Sequence, residues 1–450
     1  MKLVIAGAGE VGSYLCALLS EMGHDVTVVD ANAETCRRLD ELYNARVVEG
    51  HGESASILKD AQVDGCDYFL AMTSDDKTNL IASSLAKALG AHTVITRIHD
   101  ATYSDSSHVN YQVHFGIDFM LNPEMLSAIE LAKSIRNPAR VAVESFARGQ
   151  IEAQRFEVSG KSKAVGRPLK DLKLPPKVRF GYLVRGEHQE VPSANTTLEA
   201  GDVVTIFGPA NDLFHIRREI GPKSSSEERR VVIVGGSEVA IALLRLLNNP
   251  RFKVRVIEQK ADKCERLAAR FPFATFINGD GTSLRLMEEE QIGGADYFVA
   301  STTDDERNIL TATQARKLGC RHVQAVINKS DYEDILLNMQ EALGIETIVS
   351  PRKVTAQEVL RYISKEPYIE LFRFQEQGVR ILEIKVLDHS PAAGKLLREV
   401  RWPPRSVAVA LLHKFQAFVP GADDKILAGD RIVVIVLDEN IREIVSLFHP

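Results

Sequence analysis

The chain repeats itself over half its length. Val4-Ile5-Ala6-Gly7 returns as Val232-Ile233-Val234-Gly235, an offset of 228 in a chain of 450 residues. At that offset Asp30 falls on Glu258, Pro123 on Pro351, Gly166 on Gly394, Pro175-Pro176 on Pro403-Pro404 and Gly201-Asp202 on Gly429-Asp430. Between them Asp67-Tyr68-Phe69 returns as Asp296-Tyr297-Phe298 after a one-residue slip. The length is too great for one hydrophobic core. The repeat divides it into two tandem copies of a two-domain unit, which can fold with pseudo-two-fold symmetry, each large domain packing on its counterpart.

The first copy opens with an apolar strand, Leu3–Ala6, the turn Gly7-Ala8-Gly9-Glu10-Val11-Gly12, a helix to about Met22, and a second strand Val26–Val29 ending in Asp30. In order, these are the parts of a mononucleotide-binding unit. Gly7 suits the tight turn, Gly9 lets backbone approach a pyrophosphate, and Gly12 lets the helix lie close to the strand. The free N–H groups of the helix's first turn attract negative charge. Asp30 stands where a carboxylate accepts hydrogen bonds from ribose hydroxyls and repels a 2′-phosphate, which disfavours NADP. The glycines alone carry little weight; the strand, helix, second strand and acidic tip around them carry the reading.

Short apolar runs then alternate with helices: helix 33–42, strand 46–48, helix 55–61, strand 68–72, helix 77–89, strand 93–97, a helix near 103–109, and strand 119–121. This pattern implies a parallel, doubly wound sheet with right-handed crossovers. Asn122-Pro123-Glu124 starts a further helix to about Ile135, read as a crossover or dimer helix, with a capping side chain, a proline at the first helical position and an acid in the first turn. From Val141 the pattern changes to short alternating strands, 151–158, 181–184 and 203–207, in a small α+β domain. Gly221-Pro222-Lys223-Ser224-Ser225-Ser226-Glu227-Glu228 reads as a linker. The expected boundaries are 1–138 and 230–365 for the Rossmann-like domains, 139–222 and 366–450 for the small ones, and 223–229 for the linker.

Composition removes several function classes. The net charge of −6 gives no basic excess to draw in nucleic acid. Cys16, Cys36, Cys66, Cys264 and Cys320 form no CxxC pair and read as reduced core thiols, with no metal site or disulfide frame. The apolar start is cut short at Gly7, so no cleaved leader is expected, and no run approaches the length of a membrane-spanning helix.

Gly7-x-Gly9-x-x-Gly12, Asp30, the stretch Thr73-Ser74-Asp75-Asp76-x-x-Asn79, Arg97, and a small domain with Gly201-Asp202 before a strand resemble the RCK (KTN) family, which regulates potassium conductance. The resemblance covers nearly the whole chain, and its most specific element is the duplicated four-domain order. It implies two tandem Rossmann-like RCK N domains, each followed by a small α+β RCK C domain. It also implies a cytoplasmic, non-catalytic regulatory subunit, peripheral to the membrane. The cofactor would be NAD or NADH, alternatively ATP or ADP. The partner would be an integral-membrane potassium-translocating subunit, and the chain would form a homo-oligomer, dimer or tetramer. By the same resemblance the turn Gly7–Gly12 holds the pyrophosphate and Asp30 the ribose. Thr73, Ser74, Asp75 and Asn79 lie around the adenine and the switch-point crevice, and Arg97 meets phosphate. From the residues alone, the alternative reading of Arg97 is a surface charge in an ion pair, and that of Asp75 and Asp76 a helix cap with an acidic first turn.

The copies differ at the turn. His51 stands where the second copy has Asp280, and is either a pH-sensitive donor near phosphate or a solvated loop histidine. The second turn keeps Gly235 but replaces the other two glycines with Ser237 and Ala240, and the counterpart of Arg97 is lost, while Glu258 remains suited to ribose. The second site is expected to be weaker, altered or empty. Two rival readings stand beside the regulatory one: a soluble NAD-dependent oxidoreductase, and a scaffold with vestigial sites. The oxidoreductase lacks a shared proton-transfer group, since His188, His389 and His413 align across the repeat with Gln416, Lys161 and Arg185.

Overall fold

The structure is a computed structural model that describes residues 1–104, 109–136, 143–146, 151–172, 174–175, 177–186, 188–221, 228–363, 366–374, 378–413 and 416–449. Residues 222–227, the body of the expected linker, residues 138–139 at the first expected boundary, residue 365 at the second, and Pro176 lie outside these.

The first copy begins β1 (Lys2–Ala6), α1 (Glu10–Glu21), β2 (Asp25–Asp30), α2 (Ala33–Leu42), β3 (Arg46–Glu49), α3 (Ala55–Asp60), β4 (Tyr68–Ala71), α4 (Asp76–Leu89) and β5 (Thr93–Arg97). It continues α5 (Tyr111–His114), β6 (Phe119–Leu121), α6 (Pro123–Arg136), β7 (Val143–Phe146), β8 (Ile151–Glu157), β9 (Arg179–Arg185), β10 (His188–Glu190), β11 (Val203–Gly208) and α7 (Ala210–Ile220). The second copy runs β12 (Arg229–Val234), α8 (Glu238–Leu246), β13 (Phe252–Glu258), α9 (Ala261–Arg270), β14 (Thr275–Asn278), α10 (Leu284–Glu289), β15 (Tyr297–Ala300), α11 (Asp305–Lys317) and β16 (His322–Val326). It ends α12 (Ser330–Leu343), β17 (Thr347–Val349), α13 (Pro351–Tyr362), β18 (Tyr368–Phe374), β19 (Val379–Lys385), β20 (Val407–His413), β21 (Gln416–Phe418), β22 (Arg431–Leu437) and α14 (Ile441–Phe448).

Side-chain caps start the helices where the sequence supplies them. Asn32 accepts from Glu34 N and Thr35 N to begin α2, and Asn122 accepts from Met125 N at 2.6 Å to begin α6. One expected element differs. Of the helix expected near 103–109, the described residues place Tyr103 and Ser104 in a 3₁₀ turn, Ala101–Ser104, and Val109 ahead of the short α5, which Asn110 caps by accepting from Val113 N. Residues 105–108, between the two, are outside the described ones. A local cap on Asn110 starts the helix two residues beyond the place where the apolar pattern put its end.

The chain forms two compact units. The first, residues 1–135 and 228–360, holds both Rossmann-like domains. Their sheets are all parallel and have the same strand order, β3-β2-β1-β4-β5-β6 and β14-β13-β12-β15-β16-β17. The order reverses between β1 and β4, and between β12 and β15, which places a crevice outside the carboxyl ends of the strands in each copy. The two domains share a core through α6. Ala128, Leu131, Ala132 and Ile135 of that helix are buried against Val231, Ile233 and α8 of the second copy. Full burial of side chains such as Leu131 and Ile135 stabilises by about 1.5–3 kcal/mol each. Arg229 Nη1 adds a hydrogen bond to the Ile135 carbonyl at 2.9 Å, and Gln324 Nε2 donates to Ser134 Oγ.

The second unit, residues 136–227 and 361–450, holds the two small domains. Each is a five-stranded antiparallel sheet, β7-β8-β11-β9-β10 and β18-β19-β22-β20-β21, with corresponding strands in corresponding places. Ile151, Tyr182 and Phe207 of one sheet bury against Val379, Val433 and Ile435 of the other. The repeated Gly-Asp turn has a structural purpose. Asp202 accepts from Glu199 N and from the Arg185 guanidinium, and Asp430 accepts from Leu427 N and from His413 Nδ1 at 2.7 Å. His413 therefore occupies the place of Arg185 as a partner for a buried carboxylate. All five cysteines are free and buried.

Candidate functional site: the first switch-point crevice

The crevice is built from four strand ends. Gly7 leaves β1 with φ +99°, and its N–H donates to the Val29 carbonyl at 2.8 Å. A Cβ on Gly12 would lie 1.9 Å from the Gly7 carbonyl oxygen, so the third glycine is required by packing alone. Gly9 is different: a Cβ there meets nothing within 4 Å. Packing within the fold therefore does not require a glycine at this position. Gly9 is also the N-cap of α1 and supplies no side-chain acceptor, so the first-turn amides keep their polarity toward the crevice. Glu10 and Val11 lie within α1, Glu10 exposed and Val11 buried.

Asp30 ends β2 and is held in place by two backbone amides. Its Oδ2 accepts from Ala8 N at 2.6 Å and its Oδ1 from Asn32 N at 2.8 Å. The carboxylate thereby ties the glycine turn to the tip of the second strand.

On the other side of the crevice Asn79, fully buried in α4, clamps the loop after β4. Its Oδ1 accepts from Thr73 N at 2.9 Å and from Thr73 Oγ1 at 2.7 Å, and its Nδ2 donates to the carbonyls of Thr73 at 3.0 Å and Arg97 at 2.9 Å. Asp75 caps α4 by accepting from Thr78 N, which holds its carboxyl below the usual range. Its side chain is thus in use by the helix. Asp76 accepts from His99 N and Asp100 N, which fixes the chain just beyond β5. Ser74 is exposed beside Thr73.

Arg97 is no exposed charge in an ion pair. It ends β5 largely buried, and its Nε is buried with no hydrogen-bond partner. Burial lowers its pKa, while the nearby carboxylates of Glu124 and Asp76 raise it. Glu124 receives His99 Nδ1 at 2.8 Å on one oxygen, and its other oxygen is buried and unpartnered. An uncompensated guanidinium nitrogen and a half-satisfied carboxylate therefore sit together at the mouth of the crevice. His51 departs from the set: its side chain is exposed and faces Glu53 at 3.6 Å.

The second crevice keeps the frame and changes the lining. Gly235 repeats the positive φ at +95°, and Glu258 Oε2 accepts from Gly236 N at 2.8 Å just as Asp30 does from Ala8. Asn308 repeats the clamp on Thr302 and the Val326 carbonyl. Ser237, in place of the open Gly9, caps α8 through Ala240 N and bonds Ser301 Oγ at 2.8 Å. Asp280 folds back onto Thr282 and faces Arg307.

Three side chains were not legible from motif spacing. Arg352, on α13 of the second copy, lies over the Tyr14 ring at 4.6 Å and reaches Glu10 at 3.9 Å. It therefore stands beside the first turn of α1. Tyr14 and Arg352 lie more than three hundred positions apart, and only the packing of the copies brings them together. Arg307 is the third.

Comparison with known proteins agrees with this architecture. The TrkA-N domain model matches residues 3–123 and 231–351, and the TrkA-C domain model matches 154–221 and 381–449. A Trk system potassium uptake protein TrkA homolog of Archaeoglobus fulgidus is 31% identical, and the alignment covers 100% of each chain. Among solved structures, the GsuK channel bound to NAD has TM-score 0.58 at 18% identity, covering 99% of this chain and 78% of that one. GsuK bound to ADP has TM-score 0.50 at 15% identity, covering 80% and 68%. At such identities the likeness concerns the fold, which is that of two tandem RCK units. With both domain models matched twice, in alternation, and a relative aligned end to end, the chain belongs to the TrkA family.

Proposed function

We propose that this chain is the nucleotide-binding regulatory subunit of a Trk-type potassium-uptake system, and that its first crevice is the principal ligand site. One observation carries the reading. Asp30 is held across an open glycine turn at one end of the crevice, and the Arg97 guanidinium keeps a buried, unpartnered nitrogen at the other. A buried guanidinium nitrogen left without an acceptor is costly, and a phosphate oxygen is a natural acceptor for it. In this reading the turn Gly7–Gly12 and the first turn of α1 receive a pyrophosphate, Asp30 the ribose hydroxyls, and Thr73 with the loop clamped by Asn79 the base side. Asp75 acts only as the cap of α4, and His51 stays in solvent. NAD or NADH and ADP or ATP all present these groups. That solved RCK structures include GsuK with NAD and with ADP supports this ligand class.

The chain acts by rearrangement and not by turnover. In this reading gating acts through a membrane-embedded partner; no helix among the described residues is long and apolar enough to cross a membrane. A ligand that prefers one arrangement of the paired Rossmann domains by about 1–3 kcal/mol gives roughly 5–150-fold control over such a partner. Oligomerisation through further copies of the chain belongs to the same reading. The dehydrogenase alternative would need a proton-transfer group shared by the two copies, and His413, bonded to Asp430, stands where the first copy has Arg185 bonded to Asp202.

Calorimetric titration of NADH, NAD, ADP and ATP into the full chain, with Asp30→Arg as control, tests the site. Saturable binding abolished by the substitution supports it, and binding indifferent to Asp30→Arg refutes it. Co-purification with a potassium-translocating membrane protein tests the partner.

A further inference from the structure

The second crevice is bridged by its own side chains. Gln259 follows β13, Asp280 follows β14, and Arg307 lies in the first turn of α11, after β15. In the sheet order β14-β13-β12-β15, β13 and α11 stand on opposite sides of β12. A bond between them crosses the point where the strand order reverses, the place at which ligands of such sheets bind.

That bond is present. Arg307 Nη1 donates to Gln259 Oε1 at 2.8 Å and lies 3.8 Å from Asp280 Oδ1, while Gln259 Nε2 reaches Asp280 Oδ2 at 3.5 Å. Gln259 is itself pinned, since Asn278 Nδ2 donates to its carbonyl at 3.0 Å. Ser237 adds a second closure, its hydroxyl bonded to Ser301 where the first copy has the open Gly9. The first copy cannot make this bridge. The positions of Gln259, Asp280 and Arg307 are Ala31, His51 and Thr78, whose side chains are too short to span the crevice or, for His51, turned to Glu53.

We propose that Arg307 is a latch that keeps the second crevice closed to adenine nucleotides, and that this bridge makes the two copies unequal. This rests on the nucleotide reading of the first crevice. The ribose acid is not what was lost, because Glu258 is present and held as Asp30 is. What a ligand meets is a guanidinium already bonded to Gln259 and lying 3.8 Å from the carboxylates of both Asp280 and Asp304. Its displacement removes a charge-assisted hydrogen bond, weakened by partial exposure, which corresponds to about tenfold in affinity.

The test is ADP titration by calorimetry into four full-length forms: the unaltered chain, Asp30→Arg, Asp30→Arg with Arg307→Ala, and Asp30→Arg with Gln259→Ala. Thermal unfolding of each confirms that it is folded. The expected result is that either added substitution makes ADP bind about tenfold more tightly than Asp30→Arg alone. No gain from either overturns the latch, and a loss with Arg307→Ala overturns it by making Arg307 a ligand contact. If the unaltered chain binds ADP and the double variants gain nothing, only the latch fails. Binding by the unaltered chain that is indifferent to Asp30→Arg refutes the reading of the first crevice instead.

Discussion

Replacing Asn79 by alanine removes a single side chain that makes four hydrogen bonds. Two hold Thr73 N and Oγ1, and two reach the carbonyls of Thr73 and Arg97. Each is worth about 0.5–1.5 kcal/mol net, and the position is fully buried, so Asn79→Ala is expected to cost about 4 kcal/mol. For the compact unit formed by residues 1–135 and 228–360 that lowers the midpoint of thermal unfolding by about 7 °C. Asn308 supplies an internal control. It makes the same four bonds, to Thr302 and Val326, so Asn308→Ala carries a similar loss of stability. The two variants should part on ligand binding, because the Thr73 loop lines the open crevice and the Thr302 loop the closed one. Circular dichroism melts and ADP calorimetry measure both quantities on the same samples. A loss below about 1 kcal/mol in either variant refutes the clamp, and an equal effect of both on ADP affinity refutes the assignment of binding to the first crevice.

Two glycines of one turn should behave oppositely. Gly9→Ala meets nothing within 4 Å and leaves the unfolding midpoint within about 1 °C, yet abolishes ADP binding by filling the space kept for a ligand. Gly12→Ala drives a methyl into the Gly7 carbonyl and lowers the midpoint measurably before any ligand is added. In the small domains, burial pushes the Asp202 carboxyl up, but Arg185 and the Glu199 amide together hold it below the usual carboxylate range. Its contribution is therefore complete above about pH 4 and is lost as pH falls through the lower, folded value. Arg185→Gln should move the midpoint of acid unfolding, followed by circular dichroism, to higher pH.

The repeat, the parallel doubly wound sheets and the glycine turn were legible because they depend on backbone chemistry that recurs at fixed spacing. Apolar runs locate β1 to β6, and the capping residue Asn122 locates the helix it starts. What lies between copies was not legible. Arg352 over Tyr14 depends on the packing of α13 against α1, which no local pattern encodes. The state of Arg97 also depends on tertiary burial. Its sequence position admits both a phosphate contact and a solvated ion pair, and the burial that leaves its Nε without a partner is set by the surrounding structure. Short elements governed by a single cap, such as α5, escape the apolar pattern for the reason that one side-chain hydrogen bond can move a helix start.

Arg352 and its counterpart Glu124 show what fusing two copies into one chain permits. A symmetric dimer of identical chains must present each contact twice, so any residue that suits one side is imposed on the other. Here the equivalent positions have gone separate ways. Glu124 stays within its own domain, bound to His99, while Arg352 crosses to Tyr14 and Glu10. The linkage also keeps the two domains at high effective concentration, so their association need not rely on self-complementarity. Freed from that condition, one copy can hold an open crevice while the other becomes a fixed abutment against which it works.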